Sequence, residues 1–193
     1  MSIKNIYTNS LGNEISTKQA IQLGKYLIKV YENDILLRIE SYSKDVLLGT
    51  SYNLSSKNEV SSILSLDSNA SFQIKTQQGN YVSYECLTYQ NNHLIDKQIF
   101  LEHITLKEII CRHFYNAETD TIIHSNTIKR YYDQNGIEIY SFDYNEDGTC
   151  FFINKPQEYQ TDFYAKNIGE DPDLDFTWQG FEYYQFSEPL IPA

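Results

Sequence analysis

Two acidic stretches of this chain carry oxygen-bearing side chains at the spacing of a calcium-binding loop. The first is DYNEDG at positions 143–148, in which the matching residues are Asp143, Asn145, Asp147 and Gly148. The twelfth position of such a loop should be a bidentate glutamate, but here it is Asn154. Phenylalanine and tyrosine, which favour strands, lie on both sides of the stretch. We therefore predict that it is the turn of a hairpin and not a calcium site.

The second stretch begins at Asp171 and lacks a different part of the loop. Asp173 and Asp175 follow at the required spacing, and Glu182 falls on the twelfth position. The position that needs glycine is occupied by Phe176, whose side chain resists a positive φ angle. Because neither stretch is complete, the sequence predicts no bound metal.

No set of residues matches a known catalytic signature. The four histidines are spread along the chain without a His-Glu-x-x-His motif: His93, His103, His113 and His124. The three cysteines are far apart, as isolated buried thiols are: Cys86, Cys111 and Cys150. The sequence has no Gly-x-Ser-x-Gly turn and no glycine-rich phosphate loop. We predict no catalytic residue, no cofactor and a protein that is not an enzyme.

The formal net charge of −11 comes entirely from the last third of the chain. Residues 1–132 contain 13 acidic and 13 basic side chains, whereas residues 133–193 contain 13 acidic side chains and two basic ones, Lys155 and Lys166. This asymmetry disfavours a nucleic acid or an anionic membrane as a partner of the acidic portion and favours a basic protein. The alternative is that the acidic portion only keeps the protein soluble.

The acidic portion is also rich in aromatic residues, above all in FTWQGFEYYQF at positions 176–186. Tyrosine and tryptophan offer a large contact area, and carboxylates beside them complement lysine and arginine. The candidate partner-binding residues are Asp171, Asp173, Asp175, Trp178, Glu182, Tyr183 and Tyr184. We expect residues 155–193 to be partly irregular and to end in one aromatic strand, whose rings are either buried on both faces or exposed on one.

Short runs rich in Tyr, Phe, Ile, Val and Thr, bounded by Asn, Asp and Gly, predict strands. They cover residues 24–31, 35–42, 71–76, 81–89, 94–101, 128–132, 137–144 and 149–154. Asn-Gly and Asp-Gly pairs between them predict hairpin turns. Capping boxes at Ser56 and Thr105 predict helices in the residues that follow, and residues 16–23 are a third candidate. We expect one α+β domain over residues 1–193, predominantly an antiparallel β-meander with two or three short helices.

The segment Lys129–Ile153, KRYYDQNGIEIYSFDYNEDGTCFFI, resembles the tyrosine-rich hairpins of bacterial toxin-delivery proteins and of small proteins encoded beside them. With its modest size, acidity and missing catalytic motifs, the chain resembles an immunity protein of a bacterial polymorphic or contact-dependent toxin system. The resemblance implies a non-enzymatic inhibitor whose acidic surface covers a basic toxin domain, commonly a nuclease. Immunity proteins share no motif, so the resemblance assigns no role to any single residue.

The sequence also predicts a compartment and leaves a second function open. The first residues contain no apolar run of signal-peptide length, and no segment approaches the roughly 20 apolar residues of a membrane span. We therefore expect a cytoplasmic protein. The alternative function is a small-ligand or carbohydrate-binding β module, in which Trp178, Tyr183 and Tyr184 stack on a sugar face and calcium orders a loop.

Overall fold

A computed structural model of the protein describes residues 2–158 and 161–192. The strands form one mixed, mostly antiparallel sheet of 12 strands, which neighbour one another in chain order. They are β1 (Ile3–Thr8), β2 (Lys25–Glu32), β3 (Ile35–Ser43), β4 (Val46–Leu54), β5 (Ser71–Gln78), β6 (Tyr81–Gln90), β7 (His93–His103), β8 (Glu108–Tyr115), β9 (Ile128–Tyr132), β10 (Glu138–Tyr144), β11 (Cys150–Asn154) and β12 (Phe163–Tyr164). The α-helices are α1 (Thr17–Leu23) and α2 (Val60–Leu64), and short 3-10 helices lie at Lys57–Glu59, His124–Asn126, Ala165–Asn167 and Glu182–Tyr184. The predicted fold class, predominantly β with short helices, is confirmed.

Residue contacts divide the chain into two compact units. The first unit is Met1–Lys75 with Glu85–Asp96, and the second is Thr76–Tyr84 with Lys97–Ala193. The boundaries between the units fall within strands β5, β6 and β7. That the whole chain is a single domain stays a prediction.

The first unit confirms two of the predicted helices. Helix α1 begins after Ser16, which forms a capping box with Gln19, and ends at Gly24, whose φ of 68° suits glycine. A second capping box, between Ser56 and Glu59, precedes the 3-10 turn and α2. Strand β4 pairs in parallel with β5, and α2 lies in the connection that such a crossover requires.

The second unit contains antiparallel pairs from β7 to β12. Its largest core cluster is mostly aromatic: Phe142, Tyr144, Cys150, Ile153, Phe163 and Phe176 are buried in it. Alternation along β10 turns Phe142 and Tyr144 inward, as a strand period of two requires. Partly buried rings from later in the chain complete the cluster.

The predicted helix after Thr105 is wrong, because strand β8 takes its place. A turn precedes β8, in which Lys107 has a φ of 58° and donates its backbone N–H to His103 O at 2.8 Å. The β-branched and aromatic residues of EIICRHFY suit a strand, and β7 and β9 pair with its two edges. Residues two apart on a strand share a face, so Cys111 and His113 are both buried there.

The predicted aromatic strand over residues 176–186 is also wrong. The stretch consists of turns and the 3-10 helix Glu182–Tyr184, and the pairing of Thr149 with Phe186 is an isolated bridge. Gly180, with a φ of 84°, turns the chain within it. Its rings pack instead into the core cluster, where Phe181 lies 5.1 Å from Phe176 between ring centroids.

Candidate binding site

The acidic stretch DYNEDG forms the hairpin turn between β10 and β11, as predicted. Asn145 N donates to Thr149 O at 2.9 Å, and Gly148 N donates to Asn145 O at 3.0 Å. The carboxylate of Asp147 accepts from Thr149 N at 2.9 Å and from Thr149 Oγ1 at 2.6 Å, which lowers its pKa. Asp143 accepts from Asn154 Nδ2 at 3.1 Å. These carboxylates thus bond within the hairpin itself.

The turn packs closely against residues 176–192, which we call the C-terminal segment. Gly148 is buried with a φ of +84°, and a Cβ atom there would lie 2.9 Å from Ser187 Oγ and 3.2 Å from His124 Nδ1. Ser187 N donates to Gly148 O at 2.8 Å. Glycine is therefore required here both for its backbone angle and for the space it leaves.

Ser187 and His124 form a serine–histidine pair, with Ser187 Oγ 2.7 Å from His124 Nδ1. Such a pair is also the core of many hydrolase sites. Ser187 is only 1% exposed, so its hydroxyl has no open approach for a substrate. The contact joins the C-terminal segment to the 3-10 helix before β9.

His113 makes a second contact with the C-terminal segment. Its Nε2 lies 2.8 Å from Ser187 O, an acceptor, so Nε2 carries the proton and donates it. Within the described residues its Nδ1 is buried without a hydrogen-bond partner. Burial lowers the pKa of His113, which is therefore neutral at pH 7.

Lys129 is the most unusual side chain of the second unit, because it is fully buried on strand β9. Its Nζ donates to three backbone carbonyls of the C-terminal segment: Tyr183 O at 2.9 Å, Phe186 O at 2.8 Å and Pro189 O at 2.8 Å. An ammonium group has three protons, and here each has an acceptor. Nζ also lies 3.7 Å from the centroid of the Tyr183 ring. Burial lowers the pKa of Lys129 to about 8, while the carbonyls favour its charged form.

Burial keeps the two buried cysteines of the second unit, Cys111 and Cys150, in the thiol form. Burial raises the pKa of Cys111 to about 11, against the opposing effects of Lys129 and of a hydrogen bond with Tyr183. Burial likewise raises the pKa of Cys150 to about 12. Both thiols therefore stay protonated at neutral pH, where the thiolate is the nucleophilic form.

The structure separates the predicted partner-binding residues into two groups. The carboxylates of Asp171, Asp173, Asp175 and Glu182 are exposed. Asp171 Oδ1 accepts from Asp173 N at 3.0 Å, and Glu182 Oε1 accepts from Gly180 N at 3.0 Å, which lowers the pKa of Glu182. Within residues 2–158 and 161–192, none of these four carboxylates forms an ion pair.

The predicted aromatic residues are built into the second unit. The ring of Tyr184 stacks on Phe142 with centroids 4.5 Å apart, and Trp178 lies edge-on to Phe176 at 5.4 Å. Tyr183 donates its hydroxyl proton to Leu190 O at 2.6 Å. All three predicted rings are only partly exposed. The contacts of these rings hold the C-terminal segment in place. Whether the seven residues bind a partner stays a prediction.

Two clefts lie beside these residues in the second unit. One, of about 650 Å³, brings Glu182, Tyr183 and Tyr184 together with Arg130 and Pro189. The other, of about 510 Å³, we call the aromatic cleft; its ring-bearing residues are Phe151, Tyr164, Trp178 and Phe186, and its polar ones include Asn145, Thr149, Lys166 and Gln185. The hairpin turn, β11, β12 and the C-terminal segment each contribute to it.

The sequence-based predictions missed the residues that organise this region. Lys129 looks like an ordinary surface lysine in IKRYY, since its carbonyl partners lie at least 54 residues later in the chain. A signal did exist in the alternation of β9, because Lys129 and Tyr131 occupy the same face and Tyr131 packs against the core cluster. The exposed rings of Phe151, Tyr164 and Phe186 have no such signal.

Comparison with known proteins leaves the function open. The sequence matches no protein-family model, and neither a curated protein nor a solved structure is significantly similar to it. In the part of the chain that the structure describes, no three His, Cys, Asp or Glu side chains are placed to hold a metal ion together. In that same part, each helix is too short or too polar to cross a membrane.

Proposed function

We propose that this chain is a non-enzymatic inhibitor, an immunity protein that binds a basic toxin domain through the exposed carboxylates of its acidic portion. The observation that carries the proposal is the exposure of Asp171, Asp173, Asp175 and Glu182, without an ion pair within the described residues. Unpaired surface carboxylates attract a positively charged partner and speed its association.

The charge distribution around the carboxylates supports the same proposal. Of the two lysines after residue 132, Lys155 pairs with Glu158 at 3.4 Å, and Lys166 lies 5.7 Å from the ring of Tyr164. A net negative field of this kind repels nucleic acids and anionic membranes. It complements a protein whose own site binds phosphate, such as a nuclease domain, and the inhibitor would act in the cytoplasm.

The carboxylates are also held on an ordered backbone. Glu182 accepts from Gly180 N, and the rings beside it pack into the core. A surface that is ordered before binding loses little entropy when a partner docks. Preorganisation of this kind suits an inhibitor that binds tightly.

The test begins with the immobilised protein and the lysate and culture medium of its source. We expect it to retain a basic protein that high salt releases, and we expect the purified protein to inhibit the activity of that partner. Association rates are then compared for two variants with the same change in net charge. One is Asp173→Lys with Asp175→Lys, and the control is Glu14→Lys with Glu118→Lys, at exposed positions outside the acidic portion.

The proposal predicts that the first variant associates at least about tenfold more slowly at low salt, and that 0.5 M salt removes most of the difference. The control is expected to stay within about twofold to threefold of the unmodified protein, because only long-range charge has changed. Equal slowing of both variants, or capture without inhibition, would refute the proposal.

A further inference from the structure

The exposed aromatic side chains of this protein are concentrated in one place. Among the described residues, three aromatic side chains are exposed: Phe151 at 39%, Tyr164 at 52% and Phe186 at 52%. All three line the aromatic cleft, together with the only tryptophan of the chain, Trp178. The other exposed large apolar residues are aliphatic. Such clustering distinguishes the cleft from ordinary scattered surface apolar residues.

Polar groups suited to hydroxyl recognition lie among these rings. Asn145 and Gln185 contribute primary amides, each with two donors and an acceptor, and Thr149 contributes a hydroxyl oxygen as an acceptor, since its proton is donated to Asp147. Asn145 Nδ2 donates weakly to Thr149 Oγ1 at 3.4 Å, which leaves its amide oxygen to accept from another group. The amide of Gln185 has no hydrogen-bond partner in residues 2–158 and 161–192.

The cleft also contains one of the two positive charges of the acidic portion. Lys166 is exposed, its Nζ lies 5.7 Å from the centroid of Tyr164, and it forms no ion pair among the described residues. An ammonium group at the edge of a cleft attracts a carboxylate on a ligand. At the edge of the cleft its charge opposes the net negative charge of the acidic portion, and it adds a preference for a carboxylate to recognition by uncharged amides.

Backbone contacts hold the walls of the cleft in place. Cys150 N donates to Gln185 O at 2.9 Å, and Lys129 Nζ donates to Phe186 O. The ring of Tyr164 packs against Phe152 with centroids 5.2 Å apart. The ring of Tyr164 is thus packed on one side, and the backbone that carries Phe186 is fixed. A site of this kind is formed before its ligand arrives.

We propose that the aromatic cleft binds a pyranose saccharide, and that Lys166 favours one carrying a carboxylate, as a uronic acid does. A pyranose ring has an apolar C–H face, which packs on an aromatic ring, and a rim of hydroxyl groups, which pair with amides. A half-exposed ring contacts a ligand on one face and suits this ligand better than a wholly apolar molecule, which needs an enclosed pocket. The proposal is independent of the inhibitor function.

The single tryptophan provides the assay. Trp178 fluorescence is followed while two probes are added to the full chain: a glucose tetrasaccharide and a galacturonic acid tetrasaccharide. We expect a saturable change in fluorescence with both probes, and at least about threefold tighter binding of the acidic probe at about 0.15 M salt, which screens the long-range repulsion but not a direct contact with Lys166. Lys166→Gln should abolish that preference, so that the variant binds the two probes with similar affinity.

Two further variants test the rings. Tyr164→Ala and Phe186→Ala should each lower the affinity for both probes by about tenfold, because each removes a stacking surface. Phe186→Ala keeps the backbone carbonyl that Lys129 contacts, so the segment should remain docked. Leu48→Ala is the control, since Leu48 is 65% exposed in the first unit, and it should change neither affinity. Unchanged melting temperatures show that the variants are folded.

The possible outcomes are decisive. The saccharide assignment is overturned if neither probe causes a saturable change in Trp178 fluorescence. It is also overturned if Tyr164→Ala binds the probes as tightly as the unmodified protein does. A third outcome is that no saccharide binds, whereas the ring variants weaken the binding of a basic protein partner. The cleft then belongs to the protein interface instead. Equal affinity for the two probes would overturn the role of Lys166.

Discussion

Replacing Gly148 by alanine tests how closely the acidic turn packs on the C-terminal segment. The added Cβ atom would lie 2.9 Å from Ser187 Oγ and 3.2 Å from His124 Nδ1. These two atoms are bonded to each other at 2.7 Å, and Ser187 is 1% exposed. Neither side chain can move away without disturbing that hydrogen bond.

Two costs determine the expected size of the effect. A positive φ costs alanine roughly 1 kcal/mol relative to glycine, and overpacking a buried site costs about 1–3 kcal/mol. We therefore expect Gly148→Ala to lower the free energy of unfolding by about 2–4 kcal/mol. Gly136→Ala is the matched control, because Gly136 has a φ of +79° in the preceding hairpin turn and no atom within 4 Å of the added Cβ. It should cost about 1 kcal/mol.

Urea unfolding followed by Trp178 fluorescence measures both variants in the same unit, since Trp178 packs against the core cluster of the second unit. Adding Ser187→Ala to each variant removes the closest atom of the clash. This second substitution should recover part of the stability that Gly148→Ala loses, and none of the stability that Gly136→Ala loses. If the two glycine variants lose the same stability within about 0.5 kcal/mol, the close approach has no energetic consequence and our account of the turn is incorrect.

Two further predictions concern buried polar groups. Lys129→Met should destabilise the protein by about 3–5 kcal/mol in urea unfolding, because three carbonyls lose their donor, whereas Lys166→Met at an exposed site should change it by less than about 0.5 kcal/mol. His113 has a folded-state pKa below its usual 6.5. Its contribution to the free energy of unfolding is therefore fully present above pH 6.5. This contribution is lost at lower pH, because the unfolded chain then binds a proton at His113 more readily than the folded chain does. His113→Gln should therefore flatten the fall in stability as the pH drops below about 6.5. An unaltered slope in His113→Gln would contradict the assignment of that group.

Local chemistry accounts for most of the strands that were predicted from the sequence. Runs of β-branched and aromatic residues between Asn-Gly or Asp-Gly turns mark β9, β10 and β11, and the positive φ angles of Gly136 and Gly148 follow from the same residues. The prediction failed after Thr105, because a short apolar run such as IICRHF fits a helix and a strand equally well. Pairing with β7 and β9 decided between them, and sequence periodicity contains no information about that pairing.

The candidate site was less predictable, because its contacts join distant parts of the chain. The acidic stretch was correctly predicted as a turn from its own residues. Its burial against Ser187 depends on a contact across 39 positions, and the bonds of Lys129 span 54 to 60 positions. A serine, a lysine and a glycine of common types give no sign of such partners. The aromatic run of the C-terminal segment was read as a strand for the same reason.

Phe186 connects the buried lysine with the open cleft. Its carbonyl accepts from Lys129 inside the unit, while its ring is 52% exposed in the cleft outside. An irregular segment has no ladder of hydrogen bonds to fix it, so its position depends on contacts such as these. Functional side chains often lie on irregular segments held by a rigid scaffold. Through the carbonyls of Tyr183 and Phe186, Lys129 fixes the backbone next to Glu182 and at the ring of Phe186.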